Sequence, residues 1–221
     1  MRILALLMYA TAVVCTTLAF SGSFETARTE EINGVIRVSD GLVMIGLSEK
    51  YDEPYIETLV LKIDFSGEVL WVEEYGTPGD DVGRCLTVTG ESNILLVSRV
   101  ENAGSARPMA TLVEEDGDQI WQKFYGKNRD YLPWKACITR DGFLIAGQCL
   151  TDKNYFQAFL IKTGSSGKLL WERDFRKRNL DAALDVSTDS SGSIFLTGYS
   201  WKDDSQSLWL ALLDQSGKTA W

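Results

Sequence analysis

From residue 34 to its end the chain runs in short stretches of alternating apolar and polar residues, each broken by Gly, Asp or Ser. Alternation with period two predicts strands with one face to each side. GVIRVSDGLVMIGLS (34–48), CLTVTGESNILLVSR (85–99), ACITRDGFLIAGQC (136–149) and ALDVSTDSSGSIFLTGYS (183–200) each read as a hairpin around Asp-Gly or a slightly longer polar turn. LVLKIDFSGEVLW (59–71), TLVEEDGDQIW (111–121), FLIKTGSSGKLLW (159–171) and LWLALLDQSGKTAW (208–221) read as a second kind of hairpin, whose turn ends in Gly67, Gly117, Gly167 or Gly217.

The second kind ends each time on a tryptophan, and Trp71, Trp121, Trp171 and Trp221 recur every 50 residues. An aromatic follows four positions later in Tyr75, Tyr125 and Phe175, then an acidic residue in Asp80, Asp130 and Asp181. Two hairpins, or four short strands, per period and no helical periodicity predict an all-β fold: a β-propeller of four-stranded antiparallel blades with about four repeats across 33–221. Three uninterrupted units can be drawn at 57–100, 108–150 and 157–200, leaving a hairpin at each end of the chain to complete a fourth. Because the text stops at Trp221 where other copies continue VEEYG or QKFYG, a shortened product or a fragment of a larger propeller is favoured over a self-sufficient ring.

Before the repeats, Arg2 precedes the uncharged run Ile3 to Val14, and Thr17-Leu18-Ala19 places small residues at −3 and −1 of a cleavage site. This is the layout of a signal peptide over 1–19 with a lead-in over 20–32, and it predicts a periplasmic, cell-surface or secreted product. An uncleaved anchor is the competing reading, since Ile3 to Phe20 comes close to the span of a hydrocarbon core of roughly 30 Å. Cys85, Cys137 and Cys149 lie beyond it without a CxxC pair, which argues against a thiolate zinc site. Cys137 and Cys149 fall on neighbouring predicted strands, so a disulfide and a pair of buried thiols both stay open.

Charge and composition then narrow the function. Lys and Arg total 22 against 31 Asp and Glu, a net charge of −9 that repels nucleic acid and anionic membrane. There is no histidine, so no His-based triad, no HExxH zinc site and no imidazole base exists in the chain.

The motif K-x-D-x-x-G-x-x-x-W-x-x-x-Y-G over Lys62, Asp64, Gly67, Trp71, Tyr75 and Gly76, followed by D and later D-G-x-x-x-x-G, resembles the extracytoplasmic repeats of PQQ-like and WD40-like propellers. The third copy departs from it with Arg176 in place of the Gly. Quinoprotein blades hold two residues between Asp and the Thr before Gly, whereas Asp64-Phe65-Ser66-Gly67 holds one, and nothing matches a quinone pocket. The resemblance implies blade-on-blade docking by the periodic tryptophans and no cofactor.

Candidate contacts for a ligand are Trp134 and Trp201, which lie off the periodic position, and Asp80, Asp130 and Asp181, which on a closed propeller would gather on one face. The same acids have a structural reading as loop caps, and Trp71, Trp121, Trp171 and Trp221 are read as blade core. Gly164 to Lys168 lacks the full phosphate-loop pattern and reads as a hairpin turn, and Asp116-Gly117-Asp118 lacks the EF-hand spacing. The expected function is an exported, non-enzymatic scaffold that binds protein or carbohydrate at its surface, with self-association if the propeller is open. The alternatives are a carboxylate-based glycan-active enzyme, a degenerate quinoprotein-like domain, and a structural spacer.

Overall fold

A computed structural model describes residues 29–50, 54–102, 104–127, 129–151, 153, 155–175, 180–202 and 205–221. The segment read as a signal peptide lies outside the described residues, as does most of the lead-in, while residues 29–32 belong to the first strand. All regular structure among the described residues is strand. Four antiparallel meanders follow one another. The first joins β1 (Thr29–Arg37), β2 (Gly41–Glu49), β3 (Ile56–Asp64) and β4 (Val69–Tyr75). The second joins β5 (Asp81–Val88), β6 (Ile94–Asn102), β7 (Ser105–Val113) and β8 (Gln119–Phe124). The third joins β9 (Tyr131–Thr139), β10 (Gly142–Leu150), β11 (Phe156–Gly164) and β12 (Leu169–Phe175), and the fourth has β13 (Leu180–Thr188), β14 (Ile194–Lys202) and β15 (Ser205–Leu213).

This grouping corrects the phase drawn from the sequence. The hairpin at 34–48 does not reach round to the end of the chain; β2 pairs with β3 from Gly41↔Asp64 to Glu49↔Ile56, so the units begin at 29, 81, 131 and 180. The physical distinction is between loops of similar length. β2 and β3 are neighbours within one sheet, whereas 76–80 carry the chain from the outermost strand of one sheet to the first strand of the next.

The sheets stack face to face because both faces of the second and third are apolar. Val43, Ile45 and Val60 of the first sheet meet Leu86, Ile94 and Leu96 of the second. The other face of the second sheet, with Leu95, Val97 and Ala110, meets Phe143, Ile145 and Phe159 of the third. The third in turn covers Val186, Ile194 and Leu196 of the fourth with Leu144, Ala146 and Leu160. Successive residues of a strand thus enter different cores, which is the period of two expressed in packing. Met44, Leu59, Leu61 and Ile63 form a separate buried cluster on the far face of the first sheet. Among the described residues no apolar cluster joins the fourth sheet to the first.

Each stacking is keyed by one aromatic side chain and one turn. The turn glycines take left-handed backbone, with φ of 93° at Gly67, 97° at Gly117, 75° at Gly167 and 76° at Gly217, a region open to glycine at little cost. Trp71 donates its indole N–H to the carbonyl of Glu115 (3.2 Å) in the turn of the second sheet, and Trp171 donates to that of Gln215 (3.3 Å) in the turn of the fourth. A Cβ on Gly167 would approach the ring of Trp121 to 2.9 Å, and one on Gly217 would meet Trp171 at the same distance, so the ring rests on bare backbone. Tyr75 and Tyr125 add hydroxyl bonds to the carbonyls of Gly117 (2.6 Å) and Gly167 (2.7 Å). Trp221 differs from the other three: it is 61% exposed.

Cys137 and Cys149 are free, and they belong to opposite faces of the third sheet: Cys137 packs toward the fourth sheet and Cys149 toward the second.

The third stacking has Phe175 where the first two have tyrosine, and so lacks the hydroxyl bond. Phe175→Tyr is expected to raise unfolding free energy by about 0.5–1.5 kcal/mol through a bond to the Gly217 carbonyl, and Tyr125→Phe to lower it by a similar amount. Urea unfolding of the two variants checks this, and a Phe175→Tyr chain no more stable than wild type would refute the equivalence.

Candidate functional site

The sequence-derived candidates fall into three structural places: the crossovers between sheets, the first strands, and the end of β14. At the crossovers Asp80 and Asp130 occupy equivalent positions. The Asp80 carboxylate accepts from the amide of Ile56 (3.1 Å), where β3 of the preceding sheet begins, and its carbonyl accepts from Glu101 (3.0 Å) in the following sheet. Asp130 repeats this with the amides of Ala106 (2.8 Å) and Leu150 (2.7 Å). Each aspartate therefore clamps two consecutive sheets through backbone bonds.

Asp181 sits elsewhere. It lies inside β13 opposite Ser200 and is buried, at the position that Asp81 and Tyr131 hold in β5 and β9. Asp80, Asp130 and Asp181 thus occupy two structural positions. A separation of 51 rather than 50 residues between Asp130 and Asp181 is the signal for this in the text.

Asp81 follows Asp80 and belongs to the same sequence-derived group of acids behind each aromatic, and the pKa of its carboxyl group is raised well above the ordinary range. Its side chain is 0% exposed, and burial pushes its pKa up to about 6 against the opposing pull of bonds from the amide and hydroxyl of Thr77. Gly76 lies against it: an added Cβ would come within 2.2 Å of a Glu57 carboxylate oxygen and 2.6 Å of one from Asp81. Two carboxyl groups so close resemble a general acid–base pair, but Asp81 offers no surface to a substrate. In the third sheet the same position is Tyr131, whose hydroxyl donates to Glu172 (2.7 Å) and accepts from Arg129 (2.8 Å) and the amide of Lys127 (3.0 Å). Arg129 also grips Asp174 through both oxygens, at 3.1 and 3.2 Å. An ion cluster around Arg129 and Tyr131 at one crossover thus replaces a buried acid at another.

The first strands β1, β5, β9 and β13 each carry a β-bulge at which one residue drops out of register: Asn33, Arg84, Trp134 and Leu184. Trp134 is half-buried, and the Arg84 guanidinium stands 5.5 Å from its ring centroid. Trp201, the other off-period tryptophan, is partly exposed near the end of β14, opposite Gln206. The structure therefore does not bring Trp134 and Trp201 into one site.

The turns that could be read as ligand loops are closed by their own bonds. Asp64 and Asp214 accept from the amide and hydroxyl of the serine two residues on and from the amide four residues on, at 2.6–3.0 Å, which holds both carboxyls below their ordinary range. Gly164 donates its amide to the Lys168 carbonyl (2.9 Å) and Gly117 to that of Glu114 (3.1 Å), the same hairpin geometry. Burial pushes the thiols up, Cys85 and Cys149 to about 12 and Cys137 to about 11, so none is a thiolate nucleophile at neutral pH. No protein-family model matches this chain, and no curated protein sequence does.

The raised pKa of Asp81 has a defined sign. Folding favours its neutral form, so its contribution is full below the ordinary carboxyl value near 4 and is lost as pH rises through about 6. Asp81→Asn, which stays neutral, is expected to gain about 1–3 kcal/mol relative to wild type on moving from pH 4 to pH 8. Urea midpoints at the two pH values test it, and an equal difference between variant and wild type at both would refute it.

Proposed function

We propose that this chain is an exported, non-enzymatic β-propeller repeat module whose stacked sheets are consecutive blades, and that it serves as a binding scaffold for a protein partner. Support for the fold comes from the regular meanders, the single sense of stacking and the tryptophan-on-turn contact at every junction. The observation that carries the function is the outward face of the fourth sheet. Its residues Phe195, Leu208 and Leu210 match Leu144, Ala158 and Leu160 of the third sheet, which are buried in the junction between sheets. Yet Leu208 is 91% exposed, and Leu210, Trp201 and Trp221 are exposed to a lesser degree. A contiguous apolar face of this kind is characteristic of association surfaces. The recurring polar residues support the non-enzymatic reading from the other side, because Asp64, Asp80, Asp130 and Asp214 are all engaged in backbone bonds.

The face predicts concentration-dependent association. Sedimentation of the chain is expected to show complexes, either with itself or with an added protein partner, that Leu208→Glu abolishes without loss of strand signal. A wild-type chain that stays monomeric and fails to bind a hydrophobic dye would count against it, and so would turnover of chromogenic glycosides. Export is tested separately: the secreted product is expected to begin at Phe20, and an N-terminus retaining Met1 would favour the anchor.

A further inference from the structure

The bulges of the first three sheets follow one another in contact. Asn33 donates its side-chain amide to the carbonyl of Gly83 (3.0 Å), one residue before Arg84, and Arg84 in turn stands over Trp134. Bulges re-aim a side chain away from the pleat, and proteins use them beside binding sites for that reason. Here four matched positions hold an amide, a guanidinium, an indole and an isobutyl group, whereas the Trp and the turn Gly recur unchanged.

Two donors in this row have no acceptor. The Nε of Arg84 and the Nε1 of Trp134 are both shielded from solvent without a hydrogen-bond partner. A shielded N–H left in that state has lost its water without gaining a bond to offset the loss. Both groups only donate, so the missing chemistry is an oxygen acceptor. In a chain where acids outnumber bases 31 to 22, Arg84 nevertheless makes no ion pair among those described. Its surroundings add positive charge: burial and then repulsion from Arg99 disfavour its charged form, with Glu31 acting the other way, and Arg99 is itself held by Glu101 at 3.1 Å. An anion placed here would relieve both the unmet donors and the repulsion.

We propose that Arg84 and Trp134 form a binding site for the carboxylate of a small organic acid, its oxygens received by the guanidinium and indole N–H groups. Charge-assisted bonds of this kind are the strong ones, and the arginine fork suits the two oxygens of a carboxylate. The site is separate from the outward face of the fourth sheet and stands whether or not that face docks a partner.

Malonate is a suitable probe, and malonamide is its uncharged counterpart. In a ¹⁵N-labelled chain, malonate is expected to shift one indole N–H resonance saturably, that resonance being the one missing from Trp134→Phe. Malonamide is expected to leave it in place. Arg84→Gln should weaken malonate binding by roughly tenfold or more, while Arg84→Lys, which keeps the charge but not the fork, should retain part of it. Backbone amide spectra of the variants establish that each is folded, and Trp134→Phe, which keeps the packing and removes the donor, gives a second route if Arg84→Gln is not. No saturable shift, an equal response to malonamide, or unweakened binding by both folded Arg84→Gln and Trp134→Phe would overturn the assignment.

Discussion

The structure depends on a ring resting on a glycine turn. A meander that is apolar on both faces cannot be stable in water alone, and each sheet here acquires a neighbour through the same contact: an indole laid on the bare backbone of the next sheet's turn, its N–H taken by a turn carbonyl in the first and third junctions. Everything around that contact serves it. The turn can be approached closely only because its last residue is glycine in left-handed backbone. In the turn that seats Trp171 the Asp214 carboxylate holds the loop rigid from below, and at the first two junctions the tyrosine hydroxyls tie the far end of the outermost strand to the loop that seats the ring. Replace the glycine and the tryptophan loses its seat, and with it the spacing at which the aliphatic faces interdigitate.

What could be read from the sequence follows from how local each device is. The tryptophan period, the turn glycines and the alternating runs are all written within about a dozen residues, and each has one physical meaning. The grouping of strands into sheets is not local in this sense. A loop that turns back and a loop that crosses over are both short and polar, and only the pairing of the strands they join reveals which is which. Asp181 was misgrouped for a related reason, because a shift of one residue moves a side chain from a loop into a strand and from clamp to core. The cysteines carry the same lesson: Cys137 and Cys149 lie on paired strands, yet the twofold pleat and an intervening bulge put them on opposite faces of one sheet.

Arg84 was invisible for a different reason. Its equivalence to Trp134 is a matter of position alone, since the two share no chemistry, and a search for self-similarity passes over the places where copies differ. Those places are where a repeat can carry information. A residue that recurs in every unit has a task that recurs in every unit, and in this chain that task is to join one sheet to the next. Where the units depart from one another, at the bulges of the first strands and on the outward face of the fourth sheet, that recurring task does not account for the residues present. At Arg84 the two conditions for recognition meet, a side chain turned out of the pleat by the bulge and donors shielded from water without an acceptor. Those donors are buried without an acceptor, so a carboxylate that reaches them gains bonds without displacing a partner, and that differential is what binding requires.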